Sequence, residues 1–268
     1  MKKSSLEIIC CSQCKGTLVL KNGVDDGYQV IDSELRCEQC QKTFPVENEI
    51  VRFIQMDELE KHDKKYERFR RMFYSHIYDP FTRLEFSICG GEERARHECL
   101  DRLEVQPGSR LLETGIGTGS NLPYLVDRLG NGCFFGVDIS PSMLHYCLKN
   151  LRKWAYPAEI FLARAENLPF KDKVFDSVFH LGAFNIFPDK KRAIEEMIRV
   201  ARPGTKVVIA DETDKANKLL DKLLIPKLLG KKEKVIPPVD LIPVTMTDVL
   251  LDTVWKGYGY CLEFRTPA

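Results

Sequence analysis

The sequence predicts an α/β protein, a doubly wound parallel sheet preceded by a small cysteine-containing ribbon. Three observations support this fold class. Two C-x2-C pairs lie at 11–14 and 37–40. From residue 110 onward, short apolar runs alternate with helical patterns, and a glycine-rich loop follows the first of these runs. Alternating strands and helices of this kind form parallel sheets that bind ligands at the carboxyl ends of their strands.

The composition indicates a soluble protein of ordinary charge. The chain has 268 residues, with 40 basic and 39 acidic side chains and a net charge of +1. Proteins that bind nucleic acids without sequence preference usually carry a strongly basic surface, and the near-neutral net charge gives no sign of one. Ten cysteines without a signal-peptide pattern indicate a reducing compartment. Because no apolar run reaches the roughly 18–20 residues of a membrane span, we expect a cytoplasmic protein.

The two cysteine pairs predict a metal site in the ribbon, residues 1–55. Pairs separated by 22 residues present four thiolates, the ligand set of a tetrahedral structural zinc site. The predicted ligands are Cys11, Cys14, Cys37 and Cys40. Since few large apolar side chains accompany them, bound metal would supply much of the ribbon's stability. Four free thiols are the alternative; Cys10 is a spare, and the other five cysteines are expected in the core.

The residues around these cysteines resemble a known zinc-ribbon family. The pattern reads C-x2-C-x-G-x-L, then L-x-C-x2-C, then F-P-V and an isoleucine, carried by Gly16, Leu18, Leu35, Phe44, Pro45, Val46 and Ile50. It resembles the ribbons typified by the small activator subunit of tRNA and release-factor methyltransferases, over about residues 6–55. The resemblance implies a methyltransferase context and leaves the substrate open.

Residues 56–90 are expected to form a helical linker that could also cover the cofactor site. The stretch 56–71 mixes both signs of charge, which is typical of a solvated helix face. The chain then becomes aromatic, and Pro80 is expected to interrupt the helix. Packing of these aromatic side chains on the body of the protein explains them equally well. A second helix is predicted over 92–103.

The remaining residues, 91–268, contain the predicted sheet. Strands are predicted at 110–113, 133–137, 159–163, 177–180 and 206–211, and helices at 121–129, 142–153 and 190–201. The C-terminal stretch VLLDTVW-KGYG-YCLEFRTP predicts two further strands around a glycine-containing turn, with a helix over 248–255 as the alternative.

The glycine-rich loop is expected to bind S-adenosylmethionine (SAM). The loop contains Gly115, Gly117 and Gly119. It has no Gly-Lys-Ser/Thr sequence, which a triphosphate-binding loop requires. Its glycine spacing also differs from the G-x-G-x-x-G of dinucleotide-binding folds. Glu113 stands two residues before the first glycine, where its carboxylate would repel a pyrophosphate and attract the ammonium of a methionine moiety. Asp138 ends the second strand and can accept both ribose hydroxyls. The acid before the glycines favours SAM.

Four segments resemble class I SAM-dependent methyltransferases in their order and nearly in their spacing. They are LLETGIGTGSNLPYL, FFGVDISPSML, ARAENLPFKDKVFDSVF and EEMIRVARPGTKVVIAD, within about residues 74–212. The resemblance is greatest to the ubiquinone/menaquinone C-methyltransferase and bacterial phosphatidylethanolamine N-methyltransferase groups. It implies a Rossmann-like, seven-stranded sheet with one antiparallel strand.

The same resemblance implies which residues contact SAM. The implied cofactor-binding set is Glu113, Gly115, Gly117, Gly119, Asp138, Ile139, Met143, Ala165, Glu166 and Leu181. Ile139 and Met143 would flank the adenine, with Ala165 and Glu166 beside it. Arg164 departs from the family, which usually has an aspartate there to bond the adenine amine. Stacking by Arg164 or backbone contacts alone would therefore recognise the base.

Catalytic residues are expected in the loop after the fourth strand. His180 and Asn185 are the candidates, and a histidine that only supports the site is the alternative for His180. The loop has neither the N/D-P-P-Y/F motif of amide or adenine N-methylation nor a cysteine for covalent catalysis on RNA bases. Phe184 and Phe187 indicate a flat or apolar acceptor, or core packing. Asp176 is expected to brace the start of the fourth strand.

A cap insertion is expected at about 214–245, after the fifth strand. Its first part, 214–235, holds seven lysines and three acids with leucines between them. Such a stretch could make a peripheral contact with an anionic membrane, meet RNA phosphates, or form a cap helix with a solvated lysine face.

Three functions are compatible with these features. The first is methyl transfer to a small apolar or aromatic, quinone- or lipid-like metabolite, favoured by the neutral net charge, the aromatic linker and the apolar insertion. The second is methylation of rRNA, tRNA or a translation factor that the ribbon binds. The ribbon's resemblance to the activator subunit of tRNA and release-factor methyltransferases favours it. A catalytically silent SAM-binding scaffold is the third, and the intact Glu113, glycines and Asp138 argue against it.

Overall fold

The computed structural model describes residues 1–25, 30–55, 58–59, 64, 67, 86–87, 89–216 and 234–268. Its strands are β1 (Leu18–Asp25), β2 (Val30–Cys37), β3 (Thr43–Glu47), β4 (Ile50–Arg52), β5 (Arg110–Thr114), β6 (Cys133–Asp138), β7 (Ala158–Leu162), β8 (Phe175–Leu181), β9 (Ala201–Glu212), β10 (Thr247–Val254) and β11 (Gly259–Arg265). Its α-helices are α1 (Glu92–Leu100), α2 (Val126–Leu129), α3 (Pro141–Trp154) and α4 (Lys190–Val200). Most of the predicted linker, including Pro80, and most of the lysine-rich stretch lie outside the described residues.

All described strands belong to one sheet, in the order β1-β2-β3-β4-β7-β6-β5-β8-β9-β11-β10. The seven strands from β7 to β10 form the predicted doubly wound core. β7, β6, β5, β8 and β9 are parallel, and β11 runs antiparallel to both β9 and β10. The predicted seven-stranded sheet with one antiparallel strand is therefore confirmed. The total is larger because the four ribbon strands continue the same sheet.

The ribbon joins the core sheet through backbone pairing and a shared hydrophobic core. β4 pairs parallel with β7, so that Val51 lies opposite Phe161. Next to this pairing, the Phe53 ring lies 4.9 Å from the Phe44 ring and 6.4 Å from the Phe161 ring. All of these side chains are buried, and they belong to one cluster that runs from the ribbon into the sheet. Ribbon and sheet therefore exclude water together.

A charged cluster makes a second contact between the ribbon and the sheet. Lys15 donates from Nζ to Asn167 Oδ1 and to the Leu168 carbonyl, both at 2.9 Å, and its Nζ lies 3.2 Å from Glu196 Oε2. The side chain of Glu196 is 1% exposed, and it also accepts two hydrogen bonds of 2.7 Å from Arg199. Because each cation offsets the cost of burying this carboxylate, the cluster fixes the ribbon against the loop that follows β7.

Two local predictions are refined by the structure. The segment predicted as a helix over 121–129 is a 3₁₀ turn over Leu122–Tyr124 followed by the short α2. Pro123 lacks an N–H, and the turn closes through i→i−3 bonds such as the 3.1 Å bond from Tyr124 N to Asn121 O. At the C-terminal end, β10 and β11 pair with each other, so the two-strand prediction is confirmed over the helical one. Among the described helices, none is long and apolar enough to cross a bilayer.

Candidate functional site

The glycine-rich loop lies at the carboxyl end of β5, between the ends of β6 and β8. The backbone N–H groups of Gly115 and Ile116 donate to the carbonyl of Val137 at 2.7 and 2.9 Å, which turns the chain sharply after β5. Gly115 has a φ of +72°, and a Cβ atom there would lie 2.7 Å from His180 Cε1. Only glycine therefore fits this position. The predicted cofactor residues on β5, β6 and β8 meet around this turn.

Glu113 is a buried carboxyl with one oxygen left over. Its Oε1 accepts a 2.6 Å hydrogen bond from Asn121 Nδ2, whereas Oε2 is buried and has no hydrogen-bond partner among the residues that the structure describes. Burial raises the pKa of Glu113 from 4.5 to about 8, although the Asn121 hydrogen bond and the charge of Arg96 lower it. The sequence predicted Glu113 and missed Arg96 and Asn121. The free oxygen is suited to a cation that arrives with a ligand.

Asp138 holds the glycine loop in place from the end of β6. Its Oδ2 accepts from the backbone N–H of Gly117 at 2.9 Å, and its Oδ1 accepts from Ser140 N at 2.8 Å. Ser140 caps α3 by accepting from Met143 N at 3.2 Å. The carboxylate thus orders both the loop and the start of the helix beside the predicted ribose position.

Asp138→Ala is expected to lower SAM affinity at least about tenfold, because the Gly117 N–H loses its acceptor and a ribose hydroxyl would lose its partner. The zinc content should stay unchanged, since Asp138 lies outside the cysteine cluster. Isothermal titration with SAM and a zinc assay on the same preparation measure the two effects. Retained SAM affinity would contradict the ribose assignment.

The residues predicted to face the adenine lie at the ends of neighbouring strands. Ile139 follows β6 and is half-buried, and Met143 is buried on the first turns of α3. Ala165 and Glu166 form a 3₁₀ turn after β7, next in the sheet to β6. Leu181 ends β8 on the other side of β5. The topology therefore brings the predicted adenine residues to one edge of the sheet.

His180 lies beneath the glycine loop in an aromatic setting. Its Nδ1 is 3.2 Å from Thr114 Oγ1, whose hydroxyl donates to the carbonyl of Phe179 at 3.3 Å. When the Thr114 hydroxyl donates to Phe179, Nδ1 carries the ring proton and Nε2 holds a lone pair. Nε2 is buried and has no hydrogen-bond partner among the described residues. Burial lowers the pKa of His180 from 6.5 to about 4, so the ring is neutral at pH 7. The rings of Phe184 and Phe187 pack edge-on at 5.2 and 4.9 Å.

Asn185 makes two side-chain hydrogen bonds within the protein. Its Nδ2 donates to the Glu212 carbonyl at 2.8 Å, and its Oδ1 accepts from the Tyr260 hydroxyl at 3.1 Å. Asp211 accepts from the backbone N–H groups of Asn185 and Ala183. Burial raises the pKa of Asp211 to about 7, with the nearby Glu212 adding to the shift. These contacts hold the loop after β8 against β9 and β11.

Asp176 has the structural role that the sequence predicted. Its Oδ2 accepts a 2.8 Å hydrogen bond from the backbone N–H of Arg110, and its Oδ1 pairs with Arg202. The carboxylate thus connects the starts of β5, β8 and β9, at the edge of the sheet opposite the glycine loop.

The buried polar atoms around the glycine loop fit SAM. Three of them lack a hydrogen-bond partner among the described residues: Glu113 Oε2, Thr118 Oγ1 and His180 Nε2. Buried polar atoms are rarely left unpaired, so these three atoms are suited to pairing with a polar ligand bound at the loop. A carboxylate oxygen suits an ammonium, whereas a phosphate would be repelled.

The four predicted metal ligands come together in the ribbon. The sulfur atoms of Cys11, Cys14, Cys37 and Cys40 all lie within 4.8 Å of one another. The distance is 3.6 Å from Cys11 to Cys40 and 3.5 Å from Cys14 to Cys37. Four sulfurs bound to one zinc ion at about 2.3 Å would be about 3.8 Å apart. The cluster therefore has the size and the ligand type of a structural zinc site.

Two protein families match separate parts of the chain. Residues 112–209 match the family "Methyltransferase domain", and residues 2–49 match "Trm112p-like protein". The chain is 31% identical over 167 residues to a phthiotriol/phenolphthiotriol dimycocerosates methyltransferase of Mycobacterium leprae, covering 57% of this chain and 61% of that protein. It is 30% identical over 139 residues to a phosphatidylethanolamine N-methyltransferase of Cereibacter sphaeroides, covering 51% and 66%. The matched part of the chain thus covers less than two thirds of the length of each of these two relatives.

A solved structure supports the same fold. It is the complex between the Haloferax volcanii Trm112 methyltransferase activator and a methyltransferase, with a TM-score of 0.53 at 19% identity, covering 66% of this chain and 90% of that one. The sheet order, the glycine loop and the two family matches agree with this likeness. The chain therefore carries a methyltransferase domain over residues 112–209 and a Trm112p-like ribbon over residues 2–49 in the same polypeptide.

Proposed function

We propose that the protein transfers the methyl group of SAM to a small apolar or aromatic acceptor. The observation that carries this proposal is the buried Glu113 Oε2 beside the glycine loop, for which the described part of the chain provides no hydrogen-bond partner. A carboxylate in this place would bind the ammonium of the methionine moiety. The proposed SAM contacts are the ten cofactor residues predicted above. SAM supplies the activated methyl group, and the protein aligns it and excludes water.

The surroundings of His180 support an apolar acceptor. Phe184 is buried and packs with Phe187 against the imidazole, so the environment near Nε2 is aromatic and dry. The curated relatives described above are named for methylation of lipids. If the acceptor is a hydroxyl, the neutral imidazole could take its proton at Nε2 while the acceptor oxygen bonds to the methyl carbon. The carbon–sulfur bond of SAM would break in the same step, and S-adenosylhomocysteine would leave. Asn185, whose amide is already bonded at both ends, would then position the loop around the acceptor.

Zinc is proposed to have a structural role in the ribbon. A Cys₄ site is closed, since all four positions of the tetrahedron are filled by sulfur. The ion would therefore cross-link the two C-x2-C turns and supply folding energy to the ribbon.

Methylation of an RNA or a translation factor is the second candidate function. The Trm112p-like ribbon favours it, since the Trm112 protein of the solved complex is named as a methyltransferase activator. The net charge of +1 favours a small acceptor instead. The proposed membrane contact through 214–235 falls mostly outside the described residues.

A screen with methyl-labelled SAM tests the acceptor class. The protein is incubated with total RNA, protein and lipid extracts, and label is counted in each fraction. We expect label in the lipid fraction, and label confined to RNA or protein would refute the first candidate. Retention on RNA at about 0.1 M salt provides an independent test, because phosphate contacts depend strongly on salt. An Asp138→Ala variant is the control for background labelling.

A further inference from the structure

A buried chain of hydrogen bonds connects α1 to Glu113. Arg96 lies on α1, is 2% exposed, and donates from Nη1 to Asn121 Oδ1. Asn121 in turn donates from Nδ2 to Glu113 Oε1 at 2.6 Å. Each donor has one defined acceptor, so the chain fixes the direction in which the Asn121 amide points. The amide cannot turn its oxygen toward Glu113 without facing Arg96 with its NH₂ group.

The guanidinium of Arg96 is held on several sides. Its Nη2 donates to Ser120 Oγ at 3.1 Å and to Glu92 Oε1 at 2.8 Å. Its Cζ lies 4.9 Å from the centre of the Phe86 ring and 5.6 Å from that of Tyr124. A lysine could not make these contacts at once, because only the planar guanidinium offers donors in several directions.

We propose that Arg96 and Asn121 are positioning residues for SAM, which hold Glu113 by Oε1, direct Oε2 at the methionine ammonium and favour the ionised carboxylate. This inference rests on the proposed function. It assigns to α1, which contributes none of the predicted cofactor contacts, a part in recognising the positively charged end of the cofactor.

The charges around Glu113 give this proposal a measurable signature. Burial dominates and raises the pKa of Glu113 to about 8, the hydrogen bond from Asn121 and the charge of Arg96 lower it, and Asp138 raises it. The thiol of Cys147 on α3 also faces Glu113, and burial keeps its pKa well above the ordinary value. At pH 7 the free protein therefore holds a proton on Glu113. Binding of the ammonium releases this proton to the buffer, so affinity rises as the pH increases toward 8.

The experiment measures SAM binding and proton release by calorimetry in two buffers of different ionisation enthalpy, from pH 6 to 8.5. Wild type is expected to release close to one proton at pH 7. Arg96→Met and Asn121→Ala should each shift the pH dependence upward by about one unit and weaken binding at pH 7 about tenfold. Arg96→Lys should show a smaller shift than Arg96→Met, because lysine keeps the positive charge but lacks the several N–H donors of the planar guanidinium.

Two controls separate positioning from a general loss of structure. Arg94→Met removes an arginine from the same helix, but that side chain is 67% exposed and pairs with Glu98, so SAM binding should not change. In a Glu113→Gln background, Asn121→Ala should have no further effect on the pH dependence, because the two residues act as one unit. Asn121→Ala also keeps the test decisive if Arg96→Met does not fold.

Unchanged pH profiles in Arg96→Met and Asn121→Ala would overturn the inference, whether the affinity is retained or uniformly weakened. If wild type binds no SAM at any pH, the proposed function fails instead. The two failures are therefore distinguishable.

Discussion

Glu113→Gln is expected to lower SAM affinity roughly 100-fold at pH 8, which corresponds to about 2.7 kcal/mol. The substitution keeps the shape of the side chain and removes the charge that would pair with the methionine ammonium. Breaking a buried ion pair by removing one partner costs several kcal/mol, because the other charge is left without compensation. The effect should be the largest of any single substitution at the cofactor site, since Glu113 is buried and no described residue hydrogen-bonds to Oε2.

The same variant should bind without releasing a proton. Glutamine does not titrate, so the heat of binding at pH 7 becomes independent of the buffer. Glu195→Gln is the matched control: it makes the same chemical change on α4, where the side chain is 42% exposed and pairs with Arg192 at the surface. We expect Glu195→Gln to bind SAM like wild type. Wild-type affinity in Glu113→Gln would contradict the assignment of Glu113 to the ammonium.

Loss of zinc is expected to unfold the sheet together with the ribbon. Structural zinc contributes on the order of 10 kcal/mol to small metal domains, as much as a whole domain's stability. The core is continuous across Phe53 and Phe161, and Lys15 bonds to the loop after β7. Cys37→Ser, which breaks the site at a fully buried ligand, should lower the melting temperature by more than about 10 °C.

Calorimetry and near-ultraviolet circular dichroism measure this effect. A single cooperative transition is expected in wild type, and the same single transition at lower temperature after zinc removal by a chelator. Cys133→Ser is the matched control, because this half-buried cysteine lies at the start of β6, outside the cysteine cluster. Its melting temperature should stay within a few degrees of wild type. Two separate transitions, with the second unaffected by zinc, would show that the ribbon folds independently of the sheet.

Features encoded by short-range patterns could be predicted from the sequence. The cysteine spacing predicts a cluster that the structure brings within 4.8 Å, and the alternation of strands and helices predicts the doubly wound core. The glycine loop with Glu113 before it predicts the cofactor edge, because the carboxyl ends of parallel strands meet there. In each case the determining residues lie within one turn, one strand or one strand–loop unit.

Features that depend on distant contacts could not be predicted in this way. In the sequence, Arg96 is one of several charged residues on a predicted helix, and only the docking of α1 shows that it reaches Asn121. Asn185 is a catalytic candidate from the sequence, and its hydrogen-bond partners Glu212 and Tyr260 lie on strands far along the chain, so no local pattern predicts these bonds. The parallel pairing of β4 with β7 is equally non-local. The periodicity of a sequence does not predict such long-range contacts, because they depend on how helices and strands pack against one another.

The pairing of β4 with β7 also has a consequence for the order of events on the ribosome. β4 ends at Arg52, whereas its partner begins at Ala158, so the ribbon emerges long before the strand that it pairs with. Synthesis at about 5–20 residues per second leaves a delay of several seconds between the two. During that interval the edge of β4 that later pairs with β7 has no partner strand, so its backbone N–H and C=O groups are open to water or to another chain.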